Sequence, residues 1–323
     1  MSEGGKAMNA LLRNVMPLIL LMAFGAWLGR RRYYSEETVK QNMKLIGNVL
    51  APCILFETLR KLEVRTEYMI LTVSFFCLLV LFLAISLLIY HFFPVKRKFF
   101  PFFGTAFAFG LMGIPLFSSV YGAEHMGELT AMGVAHEVFF ATVYLPIANL
   151  MFRGEKTGGR AAMKNLFTPI LMMVFTALTL NISGLGNRIE ATLWGACLFR
   201  CTALLGSVST VMAMVMIGYQ IHFENRGLIR ESALYVIYRY ALVFGVGYPV
   251  KWLLLDRIPG LSPWFGAAYF IMLSQFGSTL LVAMVGQYET QEDLEVAGNS
   301  FALNVIAGIV FYLIYLLVTG TSF

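Results

Sequence analysis

The chain has 323 residues, 59% of them hydrophobic and only 13% charged, with a formal net charge of +6. An ordinary soluble domain is about 25% charged, and several apolar runs here reach the ~20 residues that a helix needs to cross hydrocarbon. Soluble classes are thereby excluded and an all-α polytopic membrane protein is expected. The Lys and Arg residues fall in short loops between apolar runs, where they set topology, so no nucleic-acid partner is expected.

Taken in chain order, the apolar runs predict ten transmembrane helices, at about 11–29, 43–59, 67–92, 100–121, 129–152, 166–183, 194–221, 233–255, 264–288 and 296–318. The first run is followed at once by Arg30, Arg31 and Arg32, with no small-residue cleavage site, and reads as a retained span instead of a signal peptide. Lys and Arg concentrate in alternate loops, at 30–44, 96–98, 153–164 and 226–230, and are sparser at the amino terminus and at 60–65, 188, 251 and 257. That bias puts the first set in the cytoplasm and both termini outside, in a plasma membrane. The acidic loop Glu289 to Glu295 falls on the same cytoplasmic side, a weak conflict because acidic residues contribute little to the rule.

Cys53, Cys77, Cys197 and Cys201 all lie inside apolar runs, and no His or carboxylate stands at ligand spacing from the pair Cys197 and Cys201. They read as packing residues; no metal and no cofactor is expected.

Five spans per half give the halves opposite membrane orientations, and matching segments recur at the separation this demands. Pro17 to Phe24 is similar to Pro169 to Phe175, Leu45-Ile46-Gly47-Asn48-Val49 to Leu204-Leu205-Gly206-Ser207-Val208, and Phe109-Gly110 to Phe276-Gly277. The chain is therefore expected to be a 5+5 inverted repeat: a first five-helix repeat at 1–152, a cytoplasmic linker at 153–165 and a second repeat at 166–323. The fourth and ninth spans are each interrupted by small residues, Gly110-Leu111-Met112-Gly113-Ile114-Pro115 in one and Gly277-Ser278-Thr279 in the other, and run in register to Tyr121 and Tyr288. Interrupted segments at corresponding places in two halves point to a transporter binding site near the bilayer midplane. A helix broken there leaves backbone groups that only protein, water or a ligand can satisfy, and restarting half-helices aim their positive ends at the crossing, which favours an anion. The alternative is that the Gly-x-x-Gly spacing merely lets helices pack closely.

These considerations give substrate-binding candidates at Gly110, Leu111, Met112, Gly113 and Pro115 in the first break and at Gln275, Gly277, Ser278 and Thr279 in the second. Asn48 and Ser207, equivalent in the two halves, are polar candidates along the same path, with Asn304 and Gln220 weaker candidates of the same type. A charge inside a span costs ~2.5–3.5 kcal/mol on insertion scales, so each requires a role or a partner. His136 and Glu137 form a protonatable pair, read either as proton-coupling residues or as an interhelical hydrogen bond. Phe140 stands where a zinc protease motif needs its second His, and that reading fails. Arg200 and Arg239 either neutralise a bound carboxylate or, the favoured reading, snorkel toward the surfaces. Glu57 is expected to pair with Arg60 or Lys61.

Gly29-Arg30-Arg31-Arg32, Leu50-Ala51-Pro52-Cys53-Ile54-Leu55-Phe56, the run Phe109 to Leu116 followed by Tyr121-Gly122, and Met216-Ile217-Gly218 resemble the auxin efflux carrier family, which includes bacterial members labelled malate or malonate permeases. The resemblance implies a fold related to the bile-acid/sodium symporters, with a scaffold bundle holding a transport bundle whose crossed broken helices 4 and 9 bind the solute, and often a homodimer through the scaffold. Where the family often has asparagine before the first break this chain has Ala108, with Gln275 at the matching place in the second half. The expected function is secondary transport of a small organic anion, a carboxylate, coupled to a proton, to sodium or to neither. The competing classes are a transporter-like solute sensor, for which the short ends leave no signalling domain, and a membrane-embedded enzyme, for which no nucleophile with a base is visible.

Overall fold

The computed structural model describes residues 3–61, 65–92, 97–153, 169–219, 221 and 226–319; most of the expected linker 153–165, and Gln220, lie outside them. Every element among the described residues is helical. The first half comprises α1 (Glu3–Arg30), α2 (Glu36–Leu45) continuing through a π turn (Ile46–Leu50) into α3 (Ala51–Leu59), α4 (Thr66–Phe92), α5 (Phe100–Phe103), α6 (Ile114–Tyr121), and α7 (Gly127–Phe139) joined by a second π turn (Phe140–Tyr144) to α8 (Leu145–Arg153). The second half comprises α9 (Pro169–Ile182), the short α10 (Leu185–Glu190), α11 (Leu193–Tyr219), α12 (Ile229–Leu253), α13 (Phe265–Ser274), α14 (Thr279–Tyr288) and α15 (Gln291–Thr319).

Among the described residues, five helical stretches are long and apolar enough to cross a membrane: Thr66–Phe92, Gly127–Phe152, Leu193–Tyr219, Ile229–Arg257 and Gln291–Thr319. Of the other predicted spans, the first lies within α1, that at 166–183 coincides with the shorter α9, and those at 43–59, 100–121 and 264–288 coincide with helices interrupted by π turns or non-helical breaks. Large apolar side chains such as Trp194, Trp252, Val73 and Leu198 face outward, as expected where lipid takes the place of water.

The helices pack in two groups. In one, α1 runs along α11, while α3 packs on both α9 and α11. In the other, α4 packs on α7, α12 on α15, α14 on α15 and α13 on α7. The first group holds together by backbone proximity: a Cβ on Gly25 would stand 2.0 Å from the Val215 carbonyl oxygen, and one on Gly218 would stand 2.0 Å from that of Met22. Small residues that let helix backbones touch supply the dispersion contacts that associate helices where no hydrophobic effect acts.

Ion pairs close both ends. Arg97, in the connection before α5, donates to Glu231 through Nε at 2.9 Å and Nη2 at 3.0 Å, to Asp293 through Nη1 at 2.9 Å and to Glu292 through Nη2 at 2.6 Å, while Lys98 Nζ lies 2.9 Å from Glu289. The acidic loop that ran against the charge bias is thus held by basic residues of the same side. Thr290 and Asp293 start α15 as a capping box, the Thr290 N–H donating to Asp293 Oδ2 and the Asp293 N–H to Thr290 Oγ1, each at 3.2 Å.

At the opposite end Arg60 donates to Glu57 at 2.9 Å and to Glu190 at 2.8 Å, and Thr202 donates to Glu57. The expected pairing of Glu57 with Arg60 is present. The hydrogen bond from Arg60 holds the Glu190 carboxyl below its ordinary value, so its contribution is present above that value and lost as pH falls through the depressed one. Glu190 is two-fifths exposed, which limits the effect to ~1 kcal/mol or less. Glu190→Gln is expected to melt slightly below the wild type at neutral pH and level with it in acid; a gap that persists at low pH would refute the pairing.

Candidate functional site

The two interrupted spans meet, and backbone groups at the breaks are bonded by one another and by four side chains, Ser278, Arg239, His136 and Tyr240. Helix α5 stops at Phe103, residues 106–108 are non-helical, and a π turn (Phe109–Gly113) leads into α6. Helix α13 stops at Ser274, Gln275 is extended at φ −63° and ψ 153°, and Ser278 caps α14 with its Oγ accepting from the Leu280 N–H at 3.2 Å. The Ala108 N–H donates to the Phe276 carbonyl at 3.0 Å, joining one break directly to the other.

Arg239 of α12 supplies most of what remains. Its guanidinium donates to the Phe103 carbonyl, to the Ala106 carbonyl at 2.8 Å and to the Gln275 carbonyl at 2.9 Å, so one side chain serves both breaks. The Phe107 ring lies 4.9 Å from the guanidinium carbon. Arg239 has no exposed surface, and among the described residues no carboxylate pairs with it. The snorkelling reading is therefore wrong for this residue: it projects inward from the body of α12, where three carbonyls freed by the breaks make a buried cation tolerable. Arg200, by contrast, is exposed on α11.

His136 completes the accounting. Its Nε2 accepts the Phe107 N–H at 3.0 Å, which places the proton of the neutral ring on Nδ1, and Nδ1 stands 3.4 Å from Glu137 Oε1 without hydrogen-bond geometry. His136 thus makes a structural hydrogen bond, from α7 to the non-helical stretch of the first break and not between two helices. Tyr240 Oη lies 3.1 Å from the Ser274 carbonyl and 3.3 Å from that of Asn304.

Beside this backbone junction two buried amides are short of partners, Gln275 making only a weak bond from Nε2 to Met272 Sδ at 3.5 Å. Gln275 Oε1 and both Asn304 side-chain atoms make no hydrogen bond, although neither residue has exposed surface. A Cβ on Gly113 would stand 2.3 Å from Gln275 Nε2, so the glutamine amide lies directly over Gly113. Gly308, one turn beyond Asn304, faces the Ser274 carbonyl, Met112 Cε and Tyr240 Oη. Such unsatisfied groups cost about 1–3 kcal/mol each when nothing binds them, and their concentration where two helices break marks the candidate binding site.

The structure brings together Met112, Gly113, Gln275, Gly277 and Asn304. Gly277 faces the Arg239 Nη1 and the Phe103 carbonyl. Gly110, Leu111, Pro115 and Thr279 are positioned by their backbones, in the π turn and the first turns of α6 and α14. Asn48 and Ser207 are not drawn in. Asn48 sits in the π turn that packs beside Phe109–Gly113 yet is exposed, and exposed Ser207 donates back to the Leu204 carbonyl at 2.7 Å.

The first break also lies elsewhere than expected. The sequence placed it from Gly110 to Pro115, but those residues are helical and the open stretch precedes them. Pro115 needs no donor in the first turn of α6, the π turn accommodates the glycines, and the carbonyls are freed where Arg239 can reach them. In the register that pairs Gly110 with Gly277, Ala108 stands opposite Gln275, the edge of one break against the edge of the other.

No curated protein matches this chain. Residues 10–162, a little under half of the chain, match the model of the membrane transport protein family, the family of the auxin efflux carriers, and that match indicates a membrane transporter.

Proposed function

We propose that the protein is a secondary transporter of a small organic anion, a carboxylate, working by alternating access around the meeting point of its two broken helices. The observation that carries this reading is the charge and hydrogen-bonding character of that point. A buried guanidinium without a carboxylate partner adjoins Gln275, whose Oε1 lacks a partner, and the unpartnered amide of Asn304 lies beside the same junction, while α14 begins there with the positive end of its dipole. The surplus is positive, and amides can both donate to and accept from a carboxylate and its substituents. The packing supports a ten-span inverted repeat as the frame: α1 with α11 has its counterpart in α9 with α3, and α4 with α7 in α12 with α15. The basic clamp of Arg97 on the acidic loop supports a cytoplasmic location for that end.

The test is uptake of radiolabelled mono- and dicarboxylates into liposomes holding the purified protein. Saturable uptake is expected for at least one anion, with KM raised about tenfold by Gln275→Ala or Asn304→Ala, the loss of one hydrogen bond to a charged group. Absence of uptake under pH, sodium and voltage gradients, or variants with unaltered KM, would sink the reading.

Proton coupling, if present, passes through His136 and Glu137, since Nδ1 and the carboxylate face each other at 3.4 Å. Replacing both with glutamine is expected to flatten the dependence of uptake on external pH. An unchanged pH profile in the double variant would exclude this pair.

A further inference from the structure

We infer that Arg239 is a resident cation of the transport site, a fixed positive charge that takes the place of a coupled metal cation and holds the two broken helices together while the anion binds. The inference deepens the proposed function and rests on it for the transport experiments. Three backbone carbonyl oxygens, two from one break and one from the other, converge on a single guanidinium within the second group of helices, one on Nη1 and two on Nη2. Convergent carbonyls in a dry interior are the ligand set of a monovalent cation. Here the point is filled from within by a guanidinium, which is charged at all physiological pH, and among the described residues no acid neutralises it. The ring of Phe107 covers one of its sides at 4.9 Å.

Two consequences distinguish a resident cation from an ordinary packing residue. The intact protein has no use for sodium at the break carbonyls, because the guanidinium already fills the space they face and donates to each of them. Truncating Arg239 leaves the same carbonyls facing a space that a free cation of matching shape can enter. Ser278 stays outside this set, its Oγ engaged in capping α14.

The experiment compares the wild type, Arg239→Ala and Arg239→Lys in liposomes and in detergent. Wild-type uptake is expected to be equal in sodium, potassium and N-methylglucamine media. Arg239→Ala is expected to lose uptake by about tenfold or more, at least one charge-assisted hydrogen bond in size, and to recover with guanidinium chloride at sub-denaturing concentration but not with urea, its neutral isostere. Arg239→Lys keeps the charge and is expected to retain sodium-independent uptake at a reduced level. A wild type that requires sodium, an alanine variant that transports normally, or rescue by urea as effective as rescue by guanidinium would each overturn the inference.

Melting temperatures in detergent need no substrate. Guanidinium is expected to raise that of Arg239→Ala relative to the wild type at the same concentration; no relative gain would overturn the clamp. A relative gain with no anion uptake by any form would uphold the clamp and reject the anion reading instead. If the alanine variant does not fold, the sodium independence of the wild type and of Arg239→Lys decides the matter.

Discussion

Replacing Gly308 with alanine is expected to abolish most transport and to lower the melting temperature, while the same change at Gly298 on the same helix leaves both intact. A Cβ at Gly308 would stand 2.6 Å from the Ser274 carbonyl oxygen, with Met112 Cε and Tyr240 Oη each 3.4 Å away. The nearest atom is backbone at the end of α13, so no rotamer change relieves the clash. Either α15 withdraws or the Ser274 carbonyl turns aside and loses its hydrogen bond from Tyr240. Overpacking costs about 1–3 kcal/mol and an unsatisfied buried carbonyl a similar amount, a sum far above the up to ~1 kcal/mol that alanine returns in helix propensity. At Gly298 a Cβ meets nothing within 4 Å, and only the propensity gain remains. Because Asn304 lies one turn from Gly308, the displacement also moves an amide of the candidate site. Melting in detergent and uptake in liposomes check both variants; equal behaviour of the two would mean that α15 does not touch the second break.

Arg97→Met is expected to be the most damaging change at a membrane surface. One guanidinium holds Glu231 at the start of α12 and Glu292 and Asp293 at the start of α15, and its hydrogen bonds, that to Glu231 foremost, raise its hold on its proton above the ordinary arginine value. Without it three carboxylates repel one another across two helix ends. Breaking a buried ion pair costs about 3–5 kcal/mol. Glu231 and Glu292 are more than one-third exposed and screened by water while Asp293 is nearly buried, so a loss of about 2–3 kcal/mol is expected, below the range of a fully buried pair. Adding Asp293→Asn to Arg97→Met should recover part of it, because the second change removes the carboxylate with least access to water. Thermal melting of the two single variants and the double variant measures the coupling. Strict additivity would show that the contacts contribute no energy of their own.

Much of the architecture was legible before any coordinates. Membrane residence and the helical class follow from composition, because nothing but a self-satisfied backbone survives in hydrocarbon. The second break was readable at Gly277 with Gln275 beside it, whereas Asn304 was only a weaker candidate than Asn48 and Ser207. The first break was misplaced because glycine and proline give permission for irregular backbone without requiring it. A π turn absorbed Gly110 and Gly113, Pro115 fitted the start of α6, and the chain opened instead at 106–108, where His136 and Arg239 supply partners. Asn48 and Ser207 matched in sequence and still stayed outside the site, since equivalence in a repeat says nothing about which way a side chain points.

The sequence by itself determined that this chain lives in a membrane as helices and that two of them are interrupted, since length, hydropathy and small-residue breaks are local properties that each segment carries alone. Only the tertiary structure decided that Arg239 belongs to the site, because its partners lie 36 positions along the chain at Gln275 and 133 back at Ala106. A lone arginine in an apolar run has the same local cost whether it reaches for the surface or for carbonyls in the interior, and what separates the two outcomes is the meeting of the broken helices around it.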